Sequence, residues 1–327
     1  MAADREPPLP SHATPAEELS FPARPGTLAR ALDSDIWHSF TRSTVTMAAA
    51  AVTALFFLAT LLAPLVAPYD PFDPASLELI DAFTAPLSDG LSGKSYLLGT
   101  DDQGRDILST IIYGSRISLL VGVASVVFAM ALGVSLGLLA GYLGGWVDTL
   151  IMRVADVFLS FPTILIALLI DGVARALVDR QNHDKLAIYV LIFAIGISTW
   201  VQYARTVRGS TLVEKGKEYV QAARVIGVHP LLIMARHVLP NVMGPVLVIA
   251  TIGLALAIIS EATLSFLGVG APPTSPSLGT LIRIGNAFLF SGEWWITFFP
   301  GIALLLLALS VNLLGDWLRD ALNPKLR

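Results

Sequence analysis

Long segments without Asp, Glu, Lys or Arg constrain this chain more than any other feature. Five of them, each 19 to 31 residues long, occupy residues 43–69, 117–147, 186–204, 237–260 and 294–315. A helix needs about 20 residues to cross a hydrocarbon core of ~30 Å, so each segment predicts a transmembrane helix. Charged residues make up only 14% of the chain, whereas a soluble domain carries about 25%.

A sixth span is predicted where the uncharged segment is shorter. Only 14 residues separate Asp156 from Asp171, so this span must begin near Trp146 and include Arg153. Because Arg153 and Asp156 are three residues apart on a helix, we expect them to pair and to face the bundle rather than lipid. Pro162 is expected to kink the span. The predicted fold class is an all-α integral membrane protein with six transmembrane helices.

The basic residues predict how the chain is oriented. With a cytoplasmic N-terminus, 14 of the 21 Lys and Arg residues lie in inside segments and 7 in outside segments, as the positive-inside rule requires. Both termini are therefore predicted to be cytoplasmic. The resulting division is a largely disordered cytoplasmic tail (1–43), a first transmembrane helix (44–67), an external segment (68–116), a five-helix core (117–320) with a cytoplasmic loop (206–240), and a cytoplasmic tail (321–327).

Several kinds of chemistry are excluded or disfavoured. The chain has no cysteine, which excludes disulfides and thiolate metal sites. The segment Gly93-Lys94-Ser95 is not a P-loop, because Ser88 stands where the first glycine is required. This excludes an ATP site in the chain. We also expect no cofactor, no metal site, no catalytic residue and no nucleic acid partner.

Three aspartates, Asp101, Asp102 and Asp106, precede the second span. They lack the spacing of an EF-hand calcium loop. A capped turn at the start of a helix is the favoured interpretation.

The loop at 206–240 contains a spaced set of small and polar residues. It reads Gln221-Ala222-Ala223, then Gly227, then His237-Val238-Leu239-Pro240. We predict a short helix over Leu212–Ile226 that ends at Gly227, and a second helix whose first turn holds Pro230. Ala222 and Ala223 would let the backbone of another protein approach closely. An amphipathic connector that binds lipid headgroups explains the residues alone equally well.

The spacing in this loop resembles the EAA motif of ABC importer permeases, E-A-A-x3-G-x9-I-x-L-P. Gln221 replaces Glu and His237 replaces Ile, as in the branch that imports dipeptides, oligopeptides or nickel. Glu218, Tyr219 and Arg224 also resemble that branch, as do Leu98–Asp106 (L-G-T-D-x-x-G-R-D) and the ending Gly315–Pro324. The resemblance extends from about Val66 to Arg327 and leaves out residues 1–43.

The resemblance implies a type I ABC importer permease fold in the bacterial inner membrane. It implies that the loop couples the permease to ATPase partners through ten residues: Glu218, Tyr219, Gln221, Ala222, Ala223, Arg224, Gly227, His237, Leu239 and Pro240. The implied partners are a second permease, two ATP-binding subunits that hold ATP and Mg, an external substrate-binding protein and the lipid bilayer. Peptides are the expected substrate, with nickel or another small solute as the alternative.

Two other classes of protein fit the sequence less well. A stand-alone secondary transporter commonly has internal inverted repeats, and none is visible here. An intramembrane protease needs paired catalytic groups, and Arg153, Asp156 and Glu261 do not form such a set.

Two features within the spans have open interpretations. Gly133, Gly137 and Gly141 recur at every fourth residue, a spacing that lets helices pack closely either within this chain or against another subunit; packing within the chain is favoured. Glu261 is an acid inside an apolar segment, so it should face the bundle or an aqueous path. The residues leave a place in the translocation path and a packing or gating role equally open.

Overall fold

The computed structural model describes residues 35–73, 77–178 and 182–321. The chain is predominantly helical, and a small two-stranded hairpin lies before the second span. The helices are α1 (Asp35–Arg42), α2 (Thr44–Leu61), α3 (Ala63–Val66), α4 (Ile107–Leu143), α5 (Gly145–Ser160), α6 (Thr163–Leu177), α7 (His183–Glu214), α8 (Glu218–Val225), α9 (Pro230–Ile233), α10 (Leu239–Phe266), α11 (Leu278–Asn286) and α12 (Trp295–Ala321). The strands are β1 (Ser88–Asp89) and β2 (Ser95–Tyr96), which pair antiparallel.

Among the described residues, five helices are long and apolar enough to cross a membrane: α2, α4, α7, the continuous stretch Pro230–Phe266 that contains α10, and α12. The bent pair formed by α5 and α6 supplies the sixth span if it is counted as one crossing. The predicted all-α membrane fold is confirmed. The second span differs in extent, because α4 already begins at Ile107, inside the segment predicted to be external.

The third span is broken rather than kinked. Helices α5 and α6 are bent by 94° at Phe161 and Pro162. Phe161 adopts an extended conformation, since the proline ring disfavours helical geometry in the residue before it.

The predicted Arg153–Asp156 pair is wrong. Asp156 Oδ1 instead accepts a hydrogen bond from Arg205 Nη2 at 2.6 Å, and both side chains are about half exposed. The reason is that the neighbouring Ala155 is buried against α7, beside Trp200 and Ala204. This contact brings the acid within reach of a basic residue on α7.

The two ends of the chain's described part lie at the same end of the bundle. The rings of Phe40 in α1 and Trp317 in α12 are 5.2 Å apart. The start of α12 lies at the opposite end, where Trp295 Nε1 donates to the carbonyl of Thr100 at 3.1 Å. Which of these ends faces the cytoplasm stays a prediction from the basic residues.

The segment before α4 is held by buried aspartates. Asp81 is 1% exposed, and its carboxylate accepts hydrogen bonds from the amide and hydroxyl of Ser92 and from the hydroxyl of Tyr96. Asp106 caps α4 by accepting from the Ser109 amide at 2.8 Å. The capped-turn interpretation is therefore confirmed for Asp106. The described residues contain no group of three or more acids and histidines that could hold a metal.

Candidate functional site

Helix α8 lies in the connection between two spans, at the end of the bundle opposite the hairpin segment. It covers Glu218–Val225, which is shorter than the predicted Leu212–Ile226. The difference arises because α7 continues to Glu214. Lys217 then adopts an extended conformation and starts a separate helix.

A Schellman motif ends α8, as the glycine suggested. The amide of Val228 donates to the carbonyl of Ala223, and the amide of Gly227 donates to the carbonyl of Arg224, both at 3.0 Å. Gly227 has a φ of 82°, which residues with a Cβ rarely adopt. Pro230 occupies the first turn of α9, as predicted.

The two alanines of the motif face opposite ways. Ala223 is 4% exposed and Val220, three residues earlier, is fully buried. Both pack in a core cluster with Val238 and Val242. Ala222 is exposed. Residues three apart share one helix face, so Val220 and Ala223 both face the chain's own core, and Ala222 is the alanine of the motif that lies on the surface.

Part of the outer surface around α8 is apolar. Val225 is 87% exposed and Ile226 is 78% exposed, and Leu231 and Leu232 of α9 are 59% and 50% exposed. We call these four residues the apolar end patch. Neighbouring apolar side chains that lie exposed on a loop, rimmed by polar residues, indicate a contact surface.

A polar network joins α8 to the spans on both sides. The hydroxyl of Tyr219 donates to the carboxylate of Glu214 at the end of α7. It accepts from Asn241 Nδ2 of α10 at 3.1 Å, and the same amide donates to the carbonyl of His237 at 2.7 Å. Burial and the bond to Glu214 raise the pKa of Tyr219 to about 12, so this hydroxyl keeps its proton at neutral pH.

The basic residues beside α8 contact the end of α4. The guanidinium of Arg224 lies 4.8 Å from the ring centroid of Tyr142, and its Nε donates to the Tyr142 hydroxyl at 3.2 Å. Lys215 Nζ donates to the carbonyl of Gly141 at 2.7 Å. The roles of Glu214 and Tyr142 were missed, since no spacing in the sequence links Tyr142 to a residue 82 positions away.

The remaining predicted residues lie around this network. Gln221 is exposed, and its Nε2 donates to the carbonyl of Lys215 at 3.0 Å. Glu218 begins α8 and is exposed. His237 lies in a single π-helical turn (Met234–Val238), and its ring stacks on that of Tyr219. Leu239 and Pro240 lie in the first turn of α10.

The glycines of α4 pack against α7 of the same chain. A Cβ built on Gly133 would lie 2.5 Å from the carbonyl oxygen of Trp200, and one built on Gly137 would lie 2.5 Å from that of Ala204. At Gly141 the nearest atom would be Cβ of Thr211, at 2.7 Å. These positions leave no room for a side chain, so the geometry agrees with packing inside the chain.

Glu261 is enclosed by its own chain. It is 0% exposed, and its two carboxylate oxygens accept from the hydroxyls of Ser118 and Ser265, each at 2.7 Å. The hydroxyl of Ser265 in turn accepts from the amide of Ala271 at 3.2 Å. Through these hydrogen bonds Glu261 links α10 to α4 and to the loop after α10. This arrangement favours a packing role over a place in the translocation path.

Comparison with known families gives two matches. Residues 133–327 match the binding-protein-dependent transport system inner membrane component, and residues 34–86 match the N-terminal transmembrane domain of oligopeptide transport permease C. The second match begins before Val66, so the expectation that residues 1–43 lie wholly outside the resemblance is wrong for 34–43.

Three relatives resemble nearly the whole chain. The dipeptide transport system permease protein DppC of Haemophilus influenzae is 38% identical, over 90% of this chain and 95% of its own length. The di/tripeptide permease DppC of Pseudomonas aeruginosa is 37% identical, over 90% and 92%. The glutathione transport system permease protein GsiD of Pectobacterium atrosepticum is 37% identical, over 90% and 91%.

A solved structure shares the fold. A chain of the inward-facing MetNI methionine ABC transporter superposes with a TM-score of 0.52 at 18% identity, covering 66% of this chain and 98% of that one. This confirms the type I importer permease fold, and together with the sequence matches it sets aside the stand-alone secondary transporter. The chain belongs to the family of binding-protein-dependent transport system inner membrane components, as a multi-pass permease subunit of an ABC importer.

Proposed function

We propose that this chain is the permease subunit of an ATP-driven importer that carries short peptides into the cytoplasm across a bacterial inner membrane. The relatives described above are named for transport of dipeptides, di- and tripeptides, and glutathione. Their shared substrate chemistry is a short chain with a free carboxylate, which supports a peptide over nickel or another small solute. A second permease and an external binding protein complete the proposed assembly.

The apolar end patch is the observation that supports docking of an ATPase at the α8 end of the bundle. Two such partners would hold ATP and Mg, while this subunit performs no chemistry. Val225 and Ile226 extend from a helix whose other face is buried in the chain's own core. The patch is therefore held rigidly and leaves its apolar side chains available to a partner.

Lipid headgroups are a poorer occupant for the same surface. A helix that binds headgroups usually carries Lys and Arg on its polar face. Here Arg224 and Lys215 are engaged with Tyr142 and Gly141 at the end of α4. Because these charges are already bound within the chain, the surface around Ile226 suits a protein groove better than an anionic membrane.

The Tyr219 network provides a route for transmitting movement. It connects α8 to Glu214 on α7 and to Asn241 on α10 by direct hydrogen bonds. A partner that displaces α8 would therefore displace the adjoining ends of both spans. Coupling in this proposal is mechanical and needs no titration of Tyr219 at neutral pH.

The test replaces Ile226 by Glu, with Ile226→Val as the matched control. Burying an Ile side chain contributes about 1.5–3 kcal/mol, so its loss should weaken docking by roughly 10- to 100-fold. Each variant is tagged, purified from native membranes in mild detergent and analysed by mass spectrometry, and ATP-dependent uptake of labelled L-alanyl-L-alanine is measured in cells.

We expect wild type and Ile226→Val to recover a second permease and ATPases. Ile226→Glu should keep the second permease, lose the ATPases and lose uptake. Normal ATPase recovery and uptake with Ile226→Glu would refute the docking assignment. An intact complex that does not import the dipeptide would refute the peptide substrate and leave the docking assignment standing.

A further inference from the structure

A cavity of about 110 Å³ lies at the end of the bundle away from α8. Its walls are the end of α6, the start of α7, the loop after α10 and one residue of α11. The volume far exceeds the space of a single water molecule. It is large enough for a carboxylate and the atoms beside it.

Four charged side chains line the cavity. Asp171 Oδ2 and Arg175 Nε form an ion pair at 2.5 Å. Arg283 also lines the cavity, but its buried Nε finds no hydrogen-bond acceptor among the residues that the structure describes. Within the described part of the chain, its guanidinium forms no ion pair. Asp184 is the fourth charged side chain, and it is exposed.

An arginine that lines a cavity without an ion pair is suited to bind an anion there. Buried polar groups without partners carry a substantial cost in free energy, and native structures rarely leave them so. The planar guanidinium matches the geometry of a carboxylate. The formal charges of Arg175, Arg283, Asp171 and Asp184 cancel, which suits a zwitterion better than an inorganic anion such as phosphate.

We propose that this cavity is a substrate subsite of the permease, in which Arg283 binds the terminal carboxylate of a short zwitterionic peptide. The proposal deepens the proposed function, since it takes its substrate class from there. Its position at the end of the bundle opposite α8 places the subsite at the predicted entrance to the translocation path.

The wall that carries Arg283 is fixed by the hydrogen bonds that begin at Glu261. Ser265 links Glu261 to the amide of Ala271, and the carbonyl of Ala271 accepts from Thr280 Oγ1 at 3.0 Å. Thr280 lies one turn before Arg283 on α11. Glu261 therefore supports this wall of the cavity from outside and is not among the residues that line it.

The experiment measures binding directly on the full-length chain in lipid nanodiscs. Saturation-transfer NMR compares millimolar L-alanyl-L-alanine with its C-terminal amide, which keeps the ammonium group and nearly the same volume. The variants are Arg283→Gln, Arg283→Lys and the control Arg116→Gln, which removes an exposed arginine predicted to lie on the same side of the membrane. Inorganic phosphate serves as a competitor.

Wild type and Arg116→Gln should bind the dipeptide with equal affinity. Amidation of the peptide or Arg283→Gln should weaken binding at least about tenfold, the loss expected for a charge-assisted hydrogen bond, and Arg283→Lys should restore part of it. Equal binding of the dipeptide and its amide to wild type would overturn the proposal. This comparison needs no variant, so the proposal can be refuted even if Arg283→Gln does not fold. Equal binding by Arg283→Gln and wild type, or displacement by phosphate at equal concentration, would also overturn it.

Failure of this proposal is distinguishable from failure of the proposed function. If the importer takes up the dipeptide but Arg283→Gln binds it as well as wild type does, the cavity is not the subsite. If the cavity binds the dipeptide but the assembled importer does not take it up, the proposed transport substrate is wrong.

Discussion

The contact between α4 and α7 should not tolerate even one added methyl group at Gly137. A Cβ there would lie 2.5 Å from the carbonyl oxygen of Ala204 and 2.9 Å from Cβ of Val207. Ordinary van der Waals contact begins at about 3.4 Å. Because the obstructing atoms include backbone, no side-chain rotation relieves the clash and the two helices must move apart by roughly 0.9 Å at this point.

The cost follows from the loss of close packing. In lipid, helix association depends on van der Waals contact rather than on the hydrophobic effect. A gap of 0.5–1 Å forfeits about a quarter to a half of each atomic contact, and overpacking of this kind costs about 1–3 kcal/mol. Replacing a helical glycine by alanine also stabilises the helix itself by up to about 1 kcal/mol. The control must therefore be another helical Gly→Ala change that gains the same helix stabilisation without the clash.

Gly209→Ala is the matched control. Gly209 lies on α7, the same helix that Gly137 contacts, and a Cβ built on it meets no atom within 4 Å. Subtracting its effect from that of Gly137→Ala isolates the packing cost. The assay is the midpoint of heat-induced unfolding in mild detergent, followed by tryptophan fluorescence.

We expect Gly137→Ala to melt roughly 2–12 °C below Gly209→Ala, from the packing cost of about 1–3 kcal/mol at about 2–4 °C per kcal/mol. Gly133→Ala should behave similarly, since its Cβ would approach backbone equally closely. Equal melting midpoints for Gly137→Ala and Gly209→Ala would refute the argument that the glycine stripe closes this interface.

Two further changes test the buried acids. Glu261→Leu should destabilise the protein by about 2–6 kcal/mol, because the hydroxyls of Ser118 and Ser265 each lose a buried acceptor at a cost of about 1–3 kcal/mol. The same melting assay measures this loss, and a midpoint within about 1–2 °C of wild type would contradict it. For Asp81, burial raises the pKa, but the hydrogen bonds from Ser92 and Tyr96 outweigh it and hold the pKa below its usual value. The stabilisation is therefore complete above about pH 4, the unfolded value, and is lost as the pH falls through the lower folded value. Hydrogen exchange of the Ser92 amide, corrected for its intrinsic rate, should show protection above pH 4 that fades below it, and Asp81→Asn should show weaker protection that does not depend on pH; equal pH profiles for the two proteins would contradict the assignment.

Local composition determined the membrane fold. Whether a segment enters lipid depends on its own length and on the absence of charge, so the uncharged segments predicted the spans without knowledge of their neighbours. Backbone constraints were equally local: Gly227 ends α8 with a positive φ, and Pro162 breaks the third span. The weak third span also showed the limit of this reasoning, because the partner of Asp156 lies on another helix.

Only the tertiary structure decided which residues of the motif lie on the surface and which lie in the core. The adjacent Ala222 and Ala223 are chemically identical, yet one is exposed and the other is buried in the chain's own core. The same holds for Arg283, an ordinary arginine in the sequence, whose missing partner is visible only once α6, α7 and α11 are brought together around a cavity. Such properties depend on contacts between residues far apart in the chain, which local composition and spacing do not encode.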